Sequence, residues 1–589
     1  MKKLTPRRRT HADFRLAGGV EEKAKAMRRI QMRVSLIALL FFMISLVVSC
    51  GPAAKKEMAD LVFLNGLVWT ANPDQPRAEA VAVKGGEIVA VGLSEEIQEF
   101  IGEKTEVFDL KGKLLLPGFI DSHTHFLDGG FALSRIQLRE AKSRQDFVDR
   151  MKEKAGELGE GEWILDGNWD HQQFDPPELP RKEWIDGVTP LNPVCVNRHD
   201  GHMVLVNSVA LNLAGITRET PSPDGGVIVK DPKTGEPTGI LKDAAMDLVM
   251  AHIPETSFDE SLRAAEAALK HAAEMGLTSV HDMAYIANFE VYQELLKRGR
   301  LSARLTVYIQ ITEVDRFANQ DIPESLDDDF LKIGGLKGFV DGSLGSSTAL
   351  FFEPYSDDPE KHGLLYSHMY PEGIMEERVR KADKAGLQVA VHAIGDRANH
   401  IILDIFGKVI QENGPRDRRW RIEHAQHLLP EDIQRMGRLQ IIASVQPYHA
   451  IDDGRWAEKK IGTERCRTTY AFHSLKEKGV TLTCGSDWTV APLDPLSGIY
   501  AAVTRRTLDG KNPEGWFPEQ KISLEDALRG YTLNGAYTEF AEKKKGSVEK
   551  GKWADLVILD QNLFEIPAEK IQETRVVMTV LNGRIVFKR

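Results

Sequence analysis

Short apolar runs alternate with longer amphipathic stretches through the central part of the chain. This order of strand-like and helix-like segments is typical of βα units, in which helices join parallel strands. Eight such units predict an α/β fold, a (β/α)8 TIM barrel, with its chemistry at the carboxyl ends of the strands. The predicted strands are residues 113–120, 278–281, 304–310, 335–340, 388–392, 421–424, 441–446 and 481–486.

The two ends of the sequence predict a second, smaller domain. Residues 59–112 contain short apolar strands separated by glycine turns, and residues 547–589 repeat this pattern with a closing hairpin at Asn582-Gly583. We therefore expect one small β-sandwich domain built from both chain ends, beside a barrel domain that spans residues 113–546.

The first two predicted barrel strands lie much further apart than a βα connection requires. Loops of this length rarely lack secondary structure of their own within a compact domain. Residues 128–255 are therefore predicted to form an insertion with its own strands, which covers the mouth of the barrel.

Residues 1–50 indicate export. Basic residues precede an apolar run at residues 34–48, which is short for a membrane span and typical of a signal-peptide core. The run ends in Leu-Val-Val-Ser-Cys-Gly at 46–51, which resembles a bacterial lipobox and implies cleavage before Cys50 and lipidation of its sulfur. The alternative is an N-terminal membrane anchor with an incidental cysteine. Both interpretations place the folded part of the chain outside the cytoplasm, and the first holds it at the membrane through the lipid anchor alone.

The composition and net charge indicate the size of the core and the class of partner. The 589 residues have a hydrophobic content of 42%, which is enough for a large core and an additional domain. A net charge of −11 and the lack of a basic stripe argue against nucleic acid as a partner and favour a small-molecule substrate. No heptad repeat or exposed apolar helix in the pattern indicates an oligomeric state.

The apolar run that contains the end of the first predicted barrel strand, residues 116–125, ends on two histidines. Because successive side chains of a strand point to opposite faces, His123 and His125 point the same way, as two ligands of one metal ion must. The alternative is a pair of solvated polar residues at a strand end.

Three later predicted strands each end at or just before a single histidine or aspartate: His392, His424 and Asp487. Taken alone, each histidine fits a satisfied core or rim residue, and Asp487 fits a helix N-cap. The carboxyl ends of barrel strands meet at one face, however, so the set predicts a metal site together with His123 and His125.

Six motifs carry a resemblance to a known family. They are Pro-Gly-Phe-Ile-Asp-Ser-His-Thr-His at 117–125, Asp-Gly-His at 200–202, Lys-Gly-Phe-Val-Asp-Gly-Ser-Leu-Gly at 337–345, Val-His-Ala-Ile-Gly-Asp at 391–396, Arg-Ile-Glu-His at 421–424 and Gly-Ser-Asp-Trp at 485–488. From Leu61 to Phe587 the chain resembles the amidohydrolase superfamily of metal-dependent hydrolases, and more closely its YtcJ-like branch, which includes N-substituted formamide deformylase. The resemblance implies hydrolysis of a non-peptide carbon–nitrogen bond in an N-acyl, formamide or cyclic amide substrate.

The resemblance also implies roles for single residues. It makes His123, His125, His392 and His424 metal ligands, and it makes Asp487 both a ligand and the general base. Neutral imidazoles suit zinc, as one ion or two. In the predicted insertion, the resemblance places His202 in contact with the substrate.

Lys337 has two interpretations. In family members with two metals, a lysine near the end of strand four is carboxylated and bridges the ions. Lysine reacts with CO₂ only when it is neutral, which a buried site with a depressed pKa permits. The alternative is an ammonium group that binds substrate or pairs with Asp341, so one metal or two stays open.

Other functions are compatible with the same residues. An ester, urea or imine hydrolase would use the same metal site, since fold and ligand set do not determine the substrate. A non-catalytic binding or regulatory lipoprotein is a further alternative. The intact set of predicted ligands argues against it, because a site without a catalytic role is free to lose them.

Overall fold

Eight parallel strands form a barrel in this computed structural model, which describes residues 57–254, 256–318 and 328–589 together with Met27. Each strand pairs with its neighbours in chain order, so the predicted (β/α)8 fold class is confirmed. The barrel strands are Phe119–Thr124, Leu277–Ala284, Arg304–Gln310, Leu331–Phe339, Val389–Ala393, Arg421–His424, Ile442–Val445 and Leu482–Cys484.

The barrel closes where its first strand meets the segment that follows its last strand. The backbone N–H of Asp487 donates to the carbonyl of His123 at 2.7 Å, and Thr124 forms a parallel bridge with Trp488. Gly485 permits this approach, because a Cβ there would lie 2.6 Å from the backbone nitrogen of His123. The closure brings the carboxyl ends of the first and last strands together.

Helices cover the outside of the barrel. Phe258–Glu274 is typical: Ser257 caps it in a capping box with Glu260, and its leucine and alanine face is buried. The other helices that follow barrel strands are Phe126–Ala132, Ile286–Lys297, Val314–Ala318, Ile374–Lys384, Asp396–Asn413, Pro430–Leu439, Pro447–Asp453, Ala457–Ile461, Thr463–Cys466, Phe472–Glu477, Pro495–Thr504, Leu524–Gly530 and Leu533–Thr538.

Two sheets built from both chain ends form the smaller domain. One contains Leu61–Leu64, Ala80–Lys84, Glu87–Gly92 and Glu106–Asp109, and the helix Ser94–Ile97 follows its third strand. The other contains Leu67–Trp69, Arg77–Ala78, Leu114–Pro117, Leu556–Leu559, Val576–Leu581 and Arg584–Lys588. Phe63 of the first sheet and Leu115 and Ile558 of the second share one apolar core, so the sheets pack as a sandwich.

The predicted first barrel strand, residues 113–120, is split between the two domains. Leu114–Pro117 pairs with Leu556–Leu559 in the sandwich, and the barrel strand starts only at Phe119. Gly118 makes the change of sheet possible, because a Cβ there would lie 2.3 Å from the side chain of Thr278. An unbroken apolar run shows that a segment is buried, but not which sheet it joins.

The segment between the first two barrel strands has its own mixed sheet. In sheet order its strands are Gly226–Lys230, Pro237–Asp243, Met203–Val206, Val194–Arg198, Ile164–Trp169 and Ile136–Gln137. The helices of this insertion are Arg144–Glu157, Lys182–Ile185, Ser208–Leu213 and Asp247–Met250. The aromatic residues Trp169 and Phe174 lie in its core.

The predicted signal peptide, residues 1–50, and its lipidation site Cys50 lie outside the described residues. Among the residues that are described, no helix is both long enough and apolar enough to cross a bilayer.

Candidate metal centre

The barrel brings the five predicted histidine and aspartate ligands to one place. The Nε2 atoms of His123 and His125 lie 3.4 Å and 3.3 Å from the same carboxylate oxygen of Asp487. The ring of His424 lies 5.0 Å from the ring of His123 and 4.5 Å from that of His392, measured between centroids. Side chains from strands one, five and six thus surround the carboxylate that follows strand eight.

Two of these residues have a backbone conformation that is rare outside glycine. His424 has a φ of 73° and Asp487 a φ of 57°. A left-handed residue costs about 1–3 kcal/mol, and such strain clusters at functional sites. At His424 the conformation has a clear consequence: Glu423 and His424 are consecutive in a strand, yet both side chains reach the centre, which regular alternation forbids.

Glu423 and Arg421 support His123 from inside the barrel. Nδ1 of His123 lies 2.5 Å from Oε2 of Glu423, and Arg421 binds both oxygens of that carboxylate at 2.6 Å and 2.9 Å. Burial opposes ionisation of Glu423, but Arg421 and His123 hold its pKa well below the usual range. The carboxylate therefore accepts the Nδ1–H of His123 and leaves the lone pair of Nε2 directed toward Asp487.

His392 and His424 follow the same rule with different acceptors. The Nε2–H of His392 donates to the carbonyl of Gly342 at 3.1 Å, and the Nδ1–H of His424 donates to Oε1 of Gln446 at 2.8 Å. We assign these tautomers from the acceptors. Each ring keeps one nitrogen with a free lone pair, as histidines that bind metals do. This donor set fits a divalent metal such as zinc.

The charge states also fit a cation. Burial lowers the pKa of His123 to about 4 and the pKa values of His392 and His424 well below the ordinary value, so the three rings are neutral at physiological pH. Burial acts to raise the pKa of Asp487, but His123 and His125 hold it well below its usual range. The centre therefore offers three neutral imidazoles around one carboxylate; burial opposes protonation of the fourth ring, His125, but the hydrogen bond to Asp487 raises its pKa above the ordinary value.

Lys337 lies inside the same centre. Its Nζ is 3.3 Å from Nε2 of His123 and 4.6 Å from the centroid of the Phe339 ring. Burial lowers the pKa of this amine to about 8, which increases its neutral fraction near neutral pH. Asp341, its alternative partner, instead accepts the backbone N–H groups of Ile394 and Gly395 and of a third residue, Leu350.

The insertion contributes His202 to the centre. Nδ1 of His202 lies 2.7 Å from a carboxylate oxygen of Asp243, and its ring centroid lies 5.2 Å from that of His392. Burial opposes protonation of His202, but the hydrogen bond to Asp243 raises its pKa above the ordinary value. His202, the residue predicted to contact the substrate, therefore faces the predicted metal ligands from the insertion side.

A cavity of about 450 Å³ lies between the insertion and the mouth of the barrel. His125, His392, His424, Asp487 and Lys337 line its barrel side. The insertion side has an apolar part that is formed by Leu165, Cys195, Val204, Met246, Met250 and Ile253. The cavity is of the size of small-molecule sites, which combine apolar walls with a few convergent polar groups.

Sequence reasoning assigned no role to several residues of the centre. These are Glu423, Gln446, Asp243 and His449. For Glu423 a signal was present: Arg421 and Glu423 stand two positions apart in one strand, which places a charged pair on a single buried face. For Gln446, Asp243 and His449 the sequence carries no comparable pattern.

A parallel barrel with this cluster at the carboxyl ends of its strands defines the class of metal-dependent barrel hydrolases. The chain belongs to the amidohydrolase family, whose model matches residues 106–587. A crystal structure of an uncharacterized metal-dependent hydrolase from Pyrococcus horikoshii OT3 is similar, with a TM-score of 0.69 and 28% identity. That match covers 86% of this chain and 99% of the other.

Curated relatives match nearly the whole length. The chain is 40% identical to the protein LONG AFTER FAR-RED 3 of Arabidopsis thaliana, over 90% of this chain and 92% of that protein. It is 34% identical to the putative amidohydrolase YtcJ of Bacillus subtilis (strain 168) and 27% identical to the N-substituted formamide deformylase of Arthrobacter pascens. Each of these two matches covers 90% of this chain and 99% of the relative. The predicted superfamily and YtcJ-like branch are confirmed, and the protein is a hydrolytic enzyme.

Proposed function

We propose that this protein hydrolyses the carbon–nitrogen bond of a small N-acyl or N-formyl compound at a divalent metal centre. One observation carries the proposal: His123, His392 and His424 each donate one ring N–H to a protein oxygen. The remaining ring nitrogens are therefore available as ligands beside Asp487. Hydrogen bonds of this kind fix the tautomer and orientation of each ring, as the outer partners of metal-bound histidines do.

The residues that would hold the metal are His123, His125, His392, His424 and Asp487, with Lys337 as a bridging carbamate if two ions bind. When bound, such an ion supplies a Lewis acid that polarises a carbonyl and makes water more acidic. Zinc is the ion that we propose, because it suits neutral imidazole ligands.

Asp487 is the proposed general base. Its carboxylate stays ionised across the neutral pH range, so it accepts the proton of the attacking water. It then delivers that proton to the leaving nitrogen as the carbon–nitrogen bond breaks. The products are a carboxylic acid, formic acid in the case of a formamide, and an amine.

The cavity supports an N-substituted substrate. The acyl carbon must lie at the metal centre, so the nitrogen substituent extends toward the apolar part that the insertion forms. His202, held by Asp243, faces the same space and is placed to contact the substrate. The relative from Arthrobacter pascens is an N-substituted formamide deformylase, which agrees with this substrate class.

The experiment combines metal analysis with a substrate screen. The purified full chain is expected to contain about one or two zinc ions and to release amines from N-substituted formamides and N-acyl amines. His123→Ala is the matched negative control, and it is expected to lose metal and activity together. Hydrolysis of esters, ureas or imines alone would overturn the amide assignment, and a chain that binds no zinc would overturn the metal centre.

We also propose that the protein is an exported lipoprotein, since Cys50 stands in a lipobox-like sequence after an apolar run. Membrane fractionation of the expressed full chain tests this point. The unaltered chain is expected with the membranes, and Cys50→Ala is expected to lose the lipid. Equal lipid labelling of both forms would contradict the assignment.

A further inference from the structure

His449 lies at the edge of the centre, on the helix that follows the seventh barrel strand. That strand ends at Val445, and Pro447 starts the helix Pro447–Asp453 directly afterwards. The side chain of His449 is therefore held in the first turn of the helix, where it is only 9% exposed. Its position depends on the helix rather than on the end of a strand.

The ring of His449 has one nitrogen without a partner. Nε2 is buried and makes no hydrogen bond with any described residue. The ring hydrogen-bonds the backbone of Ser486, so we assign the donor as Nδ1–H and the acceptor as the carbonyl. A neutral imidazole that donates through Nδ1 carries a lone pair on Nε2.

This lone pair lies beside the predicted ligands. The ligating atoms of His449, His424 and Asp487 are all within 4.8 Å of one another. The rings of His449 and His424 are nearly parallel, with an angle of 13° and a centroid distance of 6.4 Å. His449 thus follows the pattern of His392 and His424: one ring nitrogen donates to a protein oxygen, and the other keeps its lone pair.

The same geometry argues against a role as an oxyanion donor. A group that stabilises a developing negative charge must present an N–H or O–H to it. In the assigned tautomer, Nε2 of His449 presents an acceptor. A buried imidazole lone pair of this kind suits a metal ion, which accepts the lone pair as a ligand.

We propose that His449 is a further metal ligand, bound through Nε2 on the side of the centre formed by His424 and Asp487. The proposal rests on the proposed function, because it requires a metal at this centre. It extends the ligand set from strand ends to the helix after strand seven.

The test uses Co²⁺ as a spectroscopic probe in the full chain. We compare the unaltered protein with His449→Ala and His449→Gln, by chelator competition for Co²⁺ affinity and by visible absorption. Both variants are expected to bind Co²⁺ about tenfold more weakly or worse, with a changed absorption spectrum. Far-UV circular dichroism of the metal-free forms reports whether each variant is folded.

His427→Gln is the matched control. His427 is also buried, but both of its ring nitrogens have partners, Thr469 at 2.7 Å and Gln426 at 3.1 Å. This variant is expected to keep the affinity and the spectrum of the unaltered protein. Unaltered affinity and spectrum in a folded His449 variant would overturn the proposal.

A second measurement avoids substitution. In the NMR spectrum of the fully Co²⁺-loaded, unaltered protein, imidazole N–H protons of ligating histidines are shifted by the metal. A resonance beyond those of the four predicted histidine ligands supports His449, and its absence overturns the proposal. If the unaltered protein binds no Co²⁺ at all, the proposed function itself fails, which distinguishes that failure from the failure of His449 as a ligand.

Discussion

Nδ1 of His123 lies 2.5 Å from Oε2 of Glu423, although 300 positions separate the two residues in the chain. They belong to the first and sixth barrel strands, which are not neighbours in the sheet, so the contact crosses the barrel interior. Arg421, two positions before Glu423 in the same strand, donates hydrogen bonds to both oxygens of this carboxylate. The predicted ligand is therefore oriented by a charged pair inside the barrel.

Replacing Glu423 with glutamine should weaken metal binding without removing a ligand. The neutral amide oxygen accepts the Nδ1–H of His123 more weakly than the carboxylate does, and weakening such an outer partner typically costs about 10–100-fold in metal affinity. The variant also leaves Arg421 as an uncompensated buried charge, which we expect to cost about 3–5 kcal/mol of stability. Zinc competition and chemical denaturation measure the two effects.

Glu431→Gln is the control for this change, because Glu431 is an exposed glutamate on the helix that follows the same strand. It should match the unaltered protein in both measurements. If Glu423→Gln binds zinc as tightly as the unaltered protein, Glu423 does not orient His123.

Carboxylation of Lys337 should depend on pH in a defined direction. The amine has a pKa lowered to about 8 by burial, so its neutral, CO₂-reactive fraction increases as the pH rises from about 7 to about 9. At a fixed concentration of dissolved CO₂, metal-free protein should therefore take up a second zinc ion faster at the higher pH. Lys337→Ala should bind one ion at most and lose this pH dependence.

Stoichiometry and mass spectrometry check the Lys337 prediction. The carbamate interpretation predicts two zinc ions and a labile CO₂ adduct in the unaltered protein, and it predicts that a short carboxylic acid partly restores the second ion in Lys337→Ala. A second ion that binds equally well without bicarbonate would rule out the carbamate and favour the ammonium interpretation.

Hydrophobic periodicity was sufficient to predict the barrel, because each βα unit is a local pattern. The predicted bounds of Arg304–Gln310 and Arg421–His424 coincide with the observed strands. The residues 114–117 were assigned to the wrong sheet, since the burial of a segment does not identify its partners.

In the metal centre, too, local patterns could be predicted from the sequence, whereas contacts between distant segments could not. His392 and His424 were predicted together because they end neighbouring parallel strands, and topology alone places such ends side by side. Glu423 and His123 belong to strands that are not neighbours, and they meet because their side chains extend toward each other inside the barrel. His449 approaches from a helix, and the partner of His202 comes from a strand of the insertion, so neither contact follows from the order of barrel strands.

Asp243 should act on catalysis through His202 rather than through the metal. Asparagine accepts the hydrogen bond of the His202 ring more weakly than the Asp243 carboxylate does, and a hydrogen bond to a charged group contributes about 1.5–3 kcal/mol. We expect Asp243→Asn to lower kcat/KM by roughly tenfold to a hundredfold with unchanged zinc content. Asp247→Asn, an exposed change in the same segment, should have no effect. Loss of zinc in Asp243→Asn would show instead that the dyad supports the metal ligands.

Asp487→Asn should separate metal binding from turnover. The backbone N–H of residue 487 still donates to the His123 carbonyl, so the barrel closure is kept. The side chain keeps its size and one oxygen ligand, but an amide cannot accept the proton of the attacking water. General base catalysis contributes about 10²–10⁴-fold, so kcat should fall by that factor while the histidines retain zinc.

His123→Ala provides the contrast, because it should lose the metal as well. Turnover at the rate of the unaltered protein in zinc-loaded Asp487→Asn would remove Asp487 as the base and leave it a ligand only.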